Sequence, residues 1–127
     1  MKDRELFLIA RNMLPKAYAP FSKFQVGAAL LTKKGKVFTG VNVENSSYGI
    51  SICAERVACV KAVSEGYREF EAIAVVSSEG EVMPCGNCRQ FLFEFGDDLR
   101  IITGNDEENL KVYILKDLLP EGFRLNK

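Results

Sequence analysis

The sequence has 127 residues, 47% of them apolar, which predicts a single domain, residues 1–127, with one hydrophobic core. Its 17 basic and 17 acidic residues cancel, and this balance argues against a nucleic-acid or membrane partner. Four cysteines, without a recognisable export signal or transmembrane stretch, are typical of a cytoplasmic protein whose reduced thiols bind metal or take part in catalysis.

The spacing of apolar residues predicts helices and strands in the order αββαβαββα. We predict a helix over residues 3–14, strands over 26–32 and 36–43, a helix over about 53–63, a strand over 72–76, a helix opening at 84–86 and ending before 96, strands over 100–103 and 111–115, and a short helix at 117–119. Pro15 should end or kink the first helix. In the third helix, we expect Phe91, Leu92 and Phe95 to point into the core.

The connection between the last two strands limits the topology. Only residues 104–110 separate these strands, which is too short for a helical crossover, so the strands should be antiparallel. Together with the order of the elements, this predicts an α/β fold in which helices cover both faces of a mixed five-stranded sheet, a three-layer α/β/α sandwich.

Two short motifs carry the chemistry of this sequence. Cys53-Ala54-Glu55 is followed about thirty residues later by Pro84-Cys85-Gly86-Asn87-Cys88. Three cysteine thiolates can bind one zinc ion and leave the fourth position for water, which is the arrangement of a catalytic zinc site. Glu55 lies two residues from a ligand and could transfer protons to and from that water. The paired motifs resemble the signature of the zinc-dependent deaminases, in its all-cysteine form.

The same residues allow other interpretations. A structural zinc site could add Cys59 as a fourth thiolate, but six helical positions place it about 240° around the axis from Cys53, so we expect Cys59 to be a small buried residue. A redox dithiol at Cys85 and Cys88 would leave Cys53 and Glu55 unexplained. Glu55 could also be an exposed first-turn residue. Arg56 is a candidate to donate a hydrogen bond to a ligand sulfur.

Beyond these motifs, most of the chain resembles the small homotetrameric cytidine deaminases. The stretches that carry the resemblance are Tyr18-Ala-Pro-Phe-Ser-Lys-Phe-Gln-Val-Gly-Ala-Ala-Leu-Leu, Asn42-Val-Glu-Asn-Ser-Ser-Tyr48, Cys53-Ala-Glu-Arg56, Pro84-Cys-Gly-Asn-Cys-Arg-Gln90 and Leu118-Leu-Pro-Glu-Gly-Phe123. The resemblance implies a cytidine deaminase-like fold, one Zn²⁺ per subunit, and a homotetramer in which neighbouring subunits complete each pocket.

The resemblance also implies roles for residues outside the metal motifs. Asn42 and Glu44 would hold the ribose, with Glu44 accepting a hydrogen bond from the 3′-hydroxyl. The alternation of side chains along a strand agrees with this assignment, because residues 42 and 44 should point to the same face. Phe24 would stack on the pyrimidine, and the Ala54 backbone would contact the base. Tyr48 and Phe123 match the aromatic residues that neighbouring subunits contribute; without the resemblance, all three aromatic side chains would be interpreted as core or interface residues.

The activity implied is hydrolytic deamination of free cytidine and 2′-deoxycytidine to uridine and 2′-deoxyuridine with release of ammonia, through a zinc-activated water and a proton shuttle at Glu55. Three alternatives remain open: a polynucleotide or tRNA deaminase, a deaminase of an aminonucleoside antibiotic such as blasticidin S, and a zinc-stabilised binding module. The neutral charge and the carboxylate of Glu44 disfavour the first because nucleic-acid substrates need basic grooves. Asn42 and Glu44 favour an ordinary ribose over the antibiotic.

Overall fold

A computed structural model gives the fold of residues 1–125. The predicted domain runs to residue 127, so its last two residues lie outside this range. The helices and strands are α1 (Asp3–Asn12), β1 (Val26–Thr32), β2 (Val37–Val41), α2 (Ala54–Ser64), β3 (Phe70–Ser77), α3 (Gly86–Phe93), β4 (Arg100–Gly104), β5 (Leu110–Ile114) and α4 (Leu115–Leu118). Short 3-10 turns occur at Leu14–Lys16 and Tyr48–Ile50.

The sheet has five strands in the order β2-β1-β3-β4-β5. Strand β1 pairs antiparallel with both β2 and β3, whereas β3 and β4 are parallel. Strands β4 and β5 are antiparallel, with Ile102 opposite Val112. The mixed five-stranded sheet and its antiparallel ending are therefore confirmed.

Alternate residues of the central strands point to opposite helical layers. On one face, Ala29 and Leu31 of β1 pack with Leu6, Phe7 and Ala10 of α1. On the other face, residues of β1 and β3 pack with α2 and α3 in a larger cluster that includes Leu30, Ile73, Ala58, Cys59 and Leu92. Because both faces of the sheet are buried under helices, β1 and β3 are almost continuously apolar. Helices on both faces confirm the three-layer α/β/α architecture.

Two glycines let the helices approach the sheet closely. A Cβ atom at Gly40 of β2 would lie 2.6 Å from the backbone nitrogen of Ala58 and closer still to the carbonyl oxygen of Ala54. A Cβ atom at Gly27 of β1 would collide with the carbonyl oxygen of Ala10 in α1. Glycine at position 40 thus fixes where the first turn of α2 sits on the sheet, and this turn follows directly after Cys53.

One detail of each of the last two helices was predicted wrongly. In α3, Leu92 is buried as expected, but Phe91 is 37% exposed and its place in the core is taken by Phe93. Phe93 belongs to the core cluster on the α2 and α3 side of the sheet, and Gly122 of the distant C-terminal segment lies against its ring. The last helix begins at Leu115 rather than Asp117, since Leu115 turns into the core instead of continuing β5.

The first helix is also shorter than predicted. It ends at Asn12, and Pro15 lies in the 3-10 turn that follows, as a proline at a helix end requires. Among the residues that the structure describes, no helix has the length and apolar character needed to cross a lipid bilayer.

Candidate metal centre and active site

The three motif cysteines meet where two helices begin. Cys53 is the N-cap residue of α2, and Cys85 is the N-cap residue of α3, both with extended backbone. Cys88 lies in the first turn of α3 and is buried. Helix N-termini carry partial positive charge and free N–H groups, which favour thiolate over thiol. Two such ends directed at one point form a suitable environment for three sulfur anions.

The distances between the sulfurs fit a single tetrahedral zinc ion. The Sγ atoms of Cys53 and Cys85 are 3.8 Å apart, those of Cys85 and Cys88 are 3.5 Å apart, and all three lie within 4.8 Å of one another. Zinc–sulfur bonds of ~2.3 Å at tetrahedral angles put ligand sulfurs about 3.8 Å apart. Sulfur donors also suit zinc better than the hard cations magnesium or calcium.

Cys59 does not belong to this cluster. Its side chain is fully buried in the core on the sheet-facing side of α2. Burial raises the pKa of its thiol to about 12, so it stays protonated near neutral pH. The four-thiolate structural site considered from the sequence is therefore not formed, and Cys59 is a small core residue as expected.

Glu55 lies in the first turn of α2 and is only 4% exposed. Burial is the main reason that the pKa of its carboxyl group rises to about 7, and the nearby Cys53 thiolate adds to the effect. A carboxyl group whose pKa is close to neutral can both accept and release a proton under ordinary conditions. The alternative of an exposed first-turn carboxylate is wrong for this residue.

Arg56 is the cation beside the sulfur cluster. Its Nη2 atom lies 3.9 Å from the Cys53 sulfur and donates to the carbonyl oxygen of Ser51 at 3.4 Å. Its Nε–H group is buried and has no hydrogen-bond partner among the described residues. Three thiolates and one zinc ion carry a net charge of −1, which this guanidinium can offset.

A cavity of about 350 Å³ opens directly above Cys53, Cys85 and Glu55. Its wall includes most of the residues predicted to bind substrate: Phe24, Asn42, Glu44, Tyr48 and Ala54. Size and lining suit a small polar molecule with an aromatic ring. The fold thus brings the segment after β2, the loop before β1 and the first turn of α2 around one space.

Glu44 is buried and held by the loop that precedes β1. The backbone N–H groups of Phe21 and Ser22 donate to its Oε1 atom at 3.0 and 3.1 Å, and the Ser22 hydroxyl donates to Oε2. The Ser22 hydroxyl is the main reason that the pKa of Glu44 is lowered from its usual value, followed by the two backbone groups and Lys23. The side chain is therefore an ionised acceptor.

Asn42 fixes the backbone on either side of Gln25, directly after Phe24. Its Oδ1 atom accepts from the N–H of Val26 at 2.9 Å, and its Nδ2 atom donates to the carbonyl oxygen of Phe24 at 2.8 Å. An amide group has one further N–H and one further lone pair, so it can still bind a ligand hydroxyl.

The remaining predicted aromatic residues lie in different places. Tyr48 is 61% exposed at the rim of the cavity. Phe123 is 62% exposed and lies away from this cavity, on the C-terminal segment, where its carbonyl oxygen accepts from Gln90 at 2.8 Å. Phe123 therefore does not reach the cavity of its own chain.

Comparison with known proteins decides the family. Residues 1–104 match the model of the cytidine and deoxycytidylate deaminase zinc-binding region. The chain belongs to this family. It is 60% identical to a probable cytidine deaminase of Dictyostelium discoideum over 116 residues, which are 90% of this chain and 78% of the relative.

Solved structures agree with this membership in the cytidine deaminase family. The crystal structure of cytidine deaminase from Burkholderia pseudomallei superposes with a TM-score of 0.91 at 48% identity, covering 97% of this chain and 100% of that one. A more distant relative, blasticidin-S deaminase of Bacillus cereus, is 30% identical over 134 residues, covering 98% of this chain and 94% of the relative. The expected fold and the zinc cofactor are confirmed, with one zinc site per chain at the cysteine cluster.

Several residues around the site were not predicted from the sequence. Ser22, Val82 and Met83 line or support the cavity. Ser22 lies inside one of the stretches that resemble the family, but its sequence distance from Glu44 gives no sign of their contact. The carbonyl oxygen of Val82 accepts from the buried hydroxyl of Thr103 at 2.6 Å, which ties the loop before Cys85 to β4.

Proposed function

We propose that this protein hydrolyses cytidine and 2′-deoxycytidine to uridine and 2′-deoxyuridine and releases ammonia. The observation that carries the proposal is the position of buried Glu55 beside the cluster of three sulfurs, in a cavity that Glu44 also lines. This arrangement combines a metal site, a proton carrier and a polar acceptor around a space of about 350 Å³, which suits a nucleoside.

Zinc, when bound by Cys53, Cys85 and Cys88, supplies a Lewis acid that makes water nucleophilic near neutral pH. Glu55 accepts a proton from the water that attacks C4 of the pyrimidine and delivers it to N3. Glu55 then takes the second proton from the new hydroxyl group on C4 and gives it to the amino group, so that the C4–N bond breaks, ammonia leaves and the C4 carbonyl of the uracil ring forms. Arg56 remains beside Cys53 and offsets the negative charge of the sulfurs.

Substrate binding is assigned to residues that line the cavity next to the metal centre. We propose that Glu44 accepts a hydrogen bond from the ribose 3′-hydroxyl and that Asn42 binds the same sugar. Both side chains line the cavity, and each can form further hydrogen bonds: the Glu44 carboxylate as an acceptor, and the Asn42 amide as a donor or an acceptor. Phe24 would stack on the pyrimidine, and the Ala54 backbone would contact the base edge. Both cytidine and 2′-deoxycytidine carry a 3′-hydroxyl, so both are expected substrates.

We further propose that the chain is one domain that acts in the cytosol as a homotetramer. Tyr48 and Phe123 are highly exposed, and Phe123 lies away from the cavity of its own chain, which supports a role in the pocket of a neighbouring subunit. Sedimentation of the purified protein should give four chains per particle. An active monomer would contradict this assembly.

A steady-state assay with free cytidine tests the proposed reaction. The wild type should consume cytidine and release one ammonia per uridine formed, and a chelator should abolish turnover. Glu55→Gln should retain zinc but lose about 10²–10⁴-fold in kcat, because it removes the proton carrier and keeps the shape of the side chain. Wild-type zinc protein without cytidine turnover would overturn the proposal.

The same assay separates the alternatives. A cytosine-containing oligonucleotide should not be a substrate, since a bridging phosphate at the 3′ position would meet the carboxylate of Glu44. Blasticidin S should be a poorer substrate than cytidine if Glu44 binds an ordinary ribose. Preference for either alternative substrate would reassign the activity within the family.

A further inference from the structure

A single hydroxyl group, that of Ser22, links Glu44, which we assign to the sugar, with the backbone of Phe24, which we assign to the base. Ser22 Oγ donates to Oε2 of Glu44 and accepts from the backbone N–H of Phe24 at 3.0 Å. Lys23, between these two positions, has a φ of 63° and is in the left-handed region, so the chain turns sharply around the hydroxyl. Ser22 itself lines the cavity.

These contacts fix the direction of the hydroxyl proton. Since Oγ receives the N–H of Phe24, its own proton is directed to Glu44. The other carboxylate oxygen, Oε1, is already held by the N–H groups of Phe21 and Ser22. Of the donors to Glu44 described above, the Ser22 hydroxyl is the one that reaches Oε2, and it therefore fixes the rotation of the carboxylate plane.

We infer that Ser22 is a positioning residue that sets selectivity for nucleosides bearing a 3′-hydroxyl, by holding the Glu44 carboxylate in the orientation that accepts this group. The inference rests on the proposed function. Ser22 does not touch the reacting atoms, so it acts on substrate binding through Glu44 rather than on the chemical step.

Removal of the Ser22 hydroxyl should therefore lower the selectivity ratio, which is kcat/KM for cytidine divided by kcat/KM for 3′-deoxycytidine. Ser22→Ala leaves both backbone donors to Oε1 in place but frees Oε2, so the ribose acceptor loses its fixed orientation. Cytidine should lose about tenfold in kcat/KM, mainly through KM. The reason is that the hydrogen bond from the 3′-hydroxyl to the charged Glu44 carboxylate, which forms when the substrate binds, is weakened. 3′-Deoxycytidine lacks the hydroxyl, so its kcat/KM should change much less.

The experiment measures kcat and KM for cytidine and 3′-deoxycytidine in the wild type, Ser22→Ala and Ser22→Thr. Ser22→Thr retains the hydroxyl and should keep the wild-type selectivity ratio, while Ser22→Ala should lower it about tenfold. Ser22 is exposed, so truncation leaves no core cavity, and thermal unfolding of each variant checks this. An equal loss on both substrates, an unchanged ratio in Ser22→Ala, or the same loss in Ser22→Thr would overturn the inference.

A second measurement tests whether Ser22 acts through Glu44. In a Glu44→Gln background, Ser22→Ala should produce no further loss of selectivity, whereas independent, additive losses would overturn the inference. Wild-type protein that does not deaminate cytidine would refute the proposed function instead. The two failures are distinguishable because the wild-type assay is independent of any Ser22 variant.

Discussion

Gly40 of β2 lies so close to Ala54 of α2 that a Cβ atom at position 40 would collide with the Ala54 carbonyl oxygen. Because Ala54 directly follows Cys53 and precedes Glu55, this contact between strand and helix sets the position of a metal ligand and of the proton carrier.

Gly40→Ala should therefore damage both stability and metal binding. Forcing a methyl group into this contact should cost about 1–3 kcal/mol and push the first turn of α2 away from the sheet. Urea unfolding and zinc content per chain measure the two effects. Gly49→Ala is the matched control, since a Cβ atom there meets nothing within 4 Å, and it should change stability little. Full zinc content in an otherwise destabilised Gly40→Ala would contradict the link to the metal site.

Metal removal should expose some cysteines and not others. Cys85 is exposed and Cys53 half-buried, so both should react with iodoacetamide once a chelator removes zinc, and Cys88 should react more slowly because it is buried. Cys59 should remain unmodified in the folded protein, because burial raises the pKa of its thiol to about 12. Peptide mass mapping identifies the modified residues. Rapid labelling of Cys59 without denaturant would show that its assigned position is wrong.

The stability contribution of Glu44 should depend on pH in a defined direction. Donation from the Ser22 hydroxyl and from backbone N–H groups lowers the pKa of Glu44 below 4.5, so its ionised form stabilises the folded chain above that pH. This contribution is lost as the pH falls through the lowered pKa. The difference in unfolding free energy between wild type and Glu44→Gln should shrink when urea unfolding is repeated at progressively more acid pH. A constant or growing difference would contradict the assigned hydrogen bonds.

Thr103 should support the metal-binding loop from a distance. Its buried hydroxyl donates to the carbonyl oxygen of Val82, three residues before Cys85. Thr103→Val keeps the shape but leaves this carbonyl unpaired, and should cost about 1–3 kcal/mol and weaken zinc binding. Thr103→Ser retains the hydroxyl and should keep zinc affinity near that of the wild type. Competition with a chromogenic chelator measures the affinities, and equal affinities in the two variants would rule out this role.

Much of this architecture was predictable because it depends on local spacing. The predicted link between the last two strands, residues 104–110, left no room for a crossover, and the structure pairs β4 and β5 antiparallel. Likewise, Cys53 and Cys85 lie at the starts of two helices, and the sequence predicted both starts. The sulfur cluster could therefore be predicted from two short motifs.

The parts that could not be predicted depend on contacts between distant segments. Phe91 and Phe93 are equivalent as apolar residues of a short helix, and only tertiary packing distinguishes them, since Phe93 joins the core cluster and lies against Gly122. The hydrogen bonds from Ser22 to Glu44 and from Thr103 to Val82 span more than twenty residues and depend on loop conformation. Such contacts have no periodic signal in a single sequence.

The orientation of α2 has one more consequence. Cys59 is the residue that could saturate the ion with a fourth sulfur, yet its side chain is enclosed between helix and sheet. Because Cys53 and Cys59 lie about 240° apart around the same helix, any rotation of α2 that turned Cys59 toward the metal would turn Cys53 away from it. The packing of α2 therefore limits the metal centre to three sulfurs from this chain, and the remaining coordination position would stay available to water.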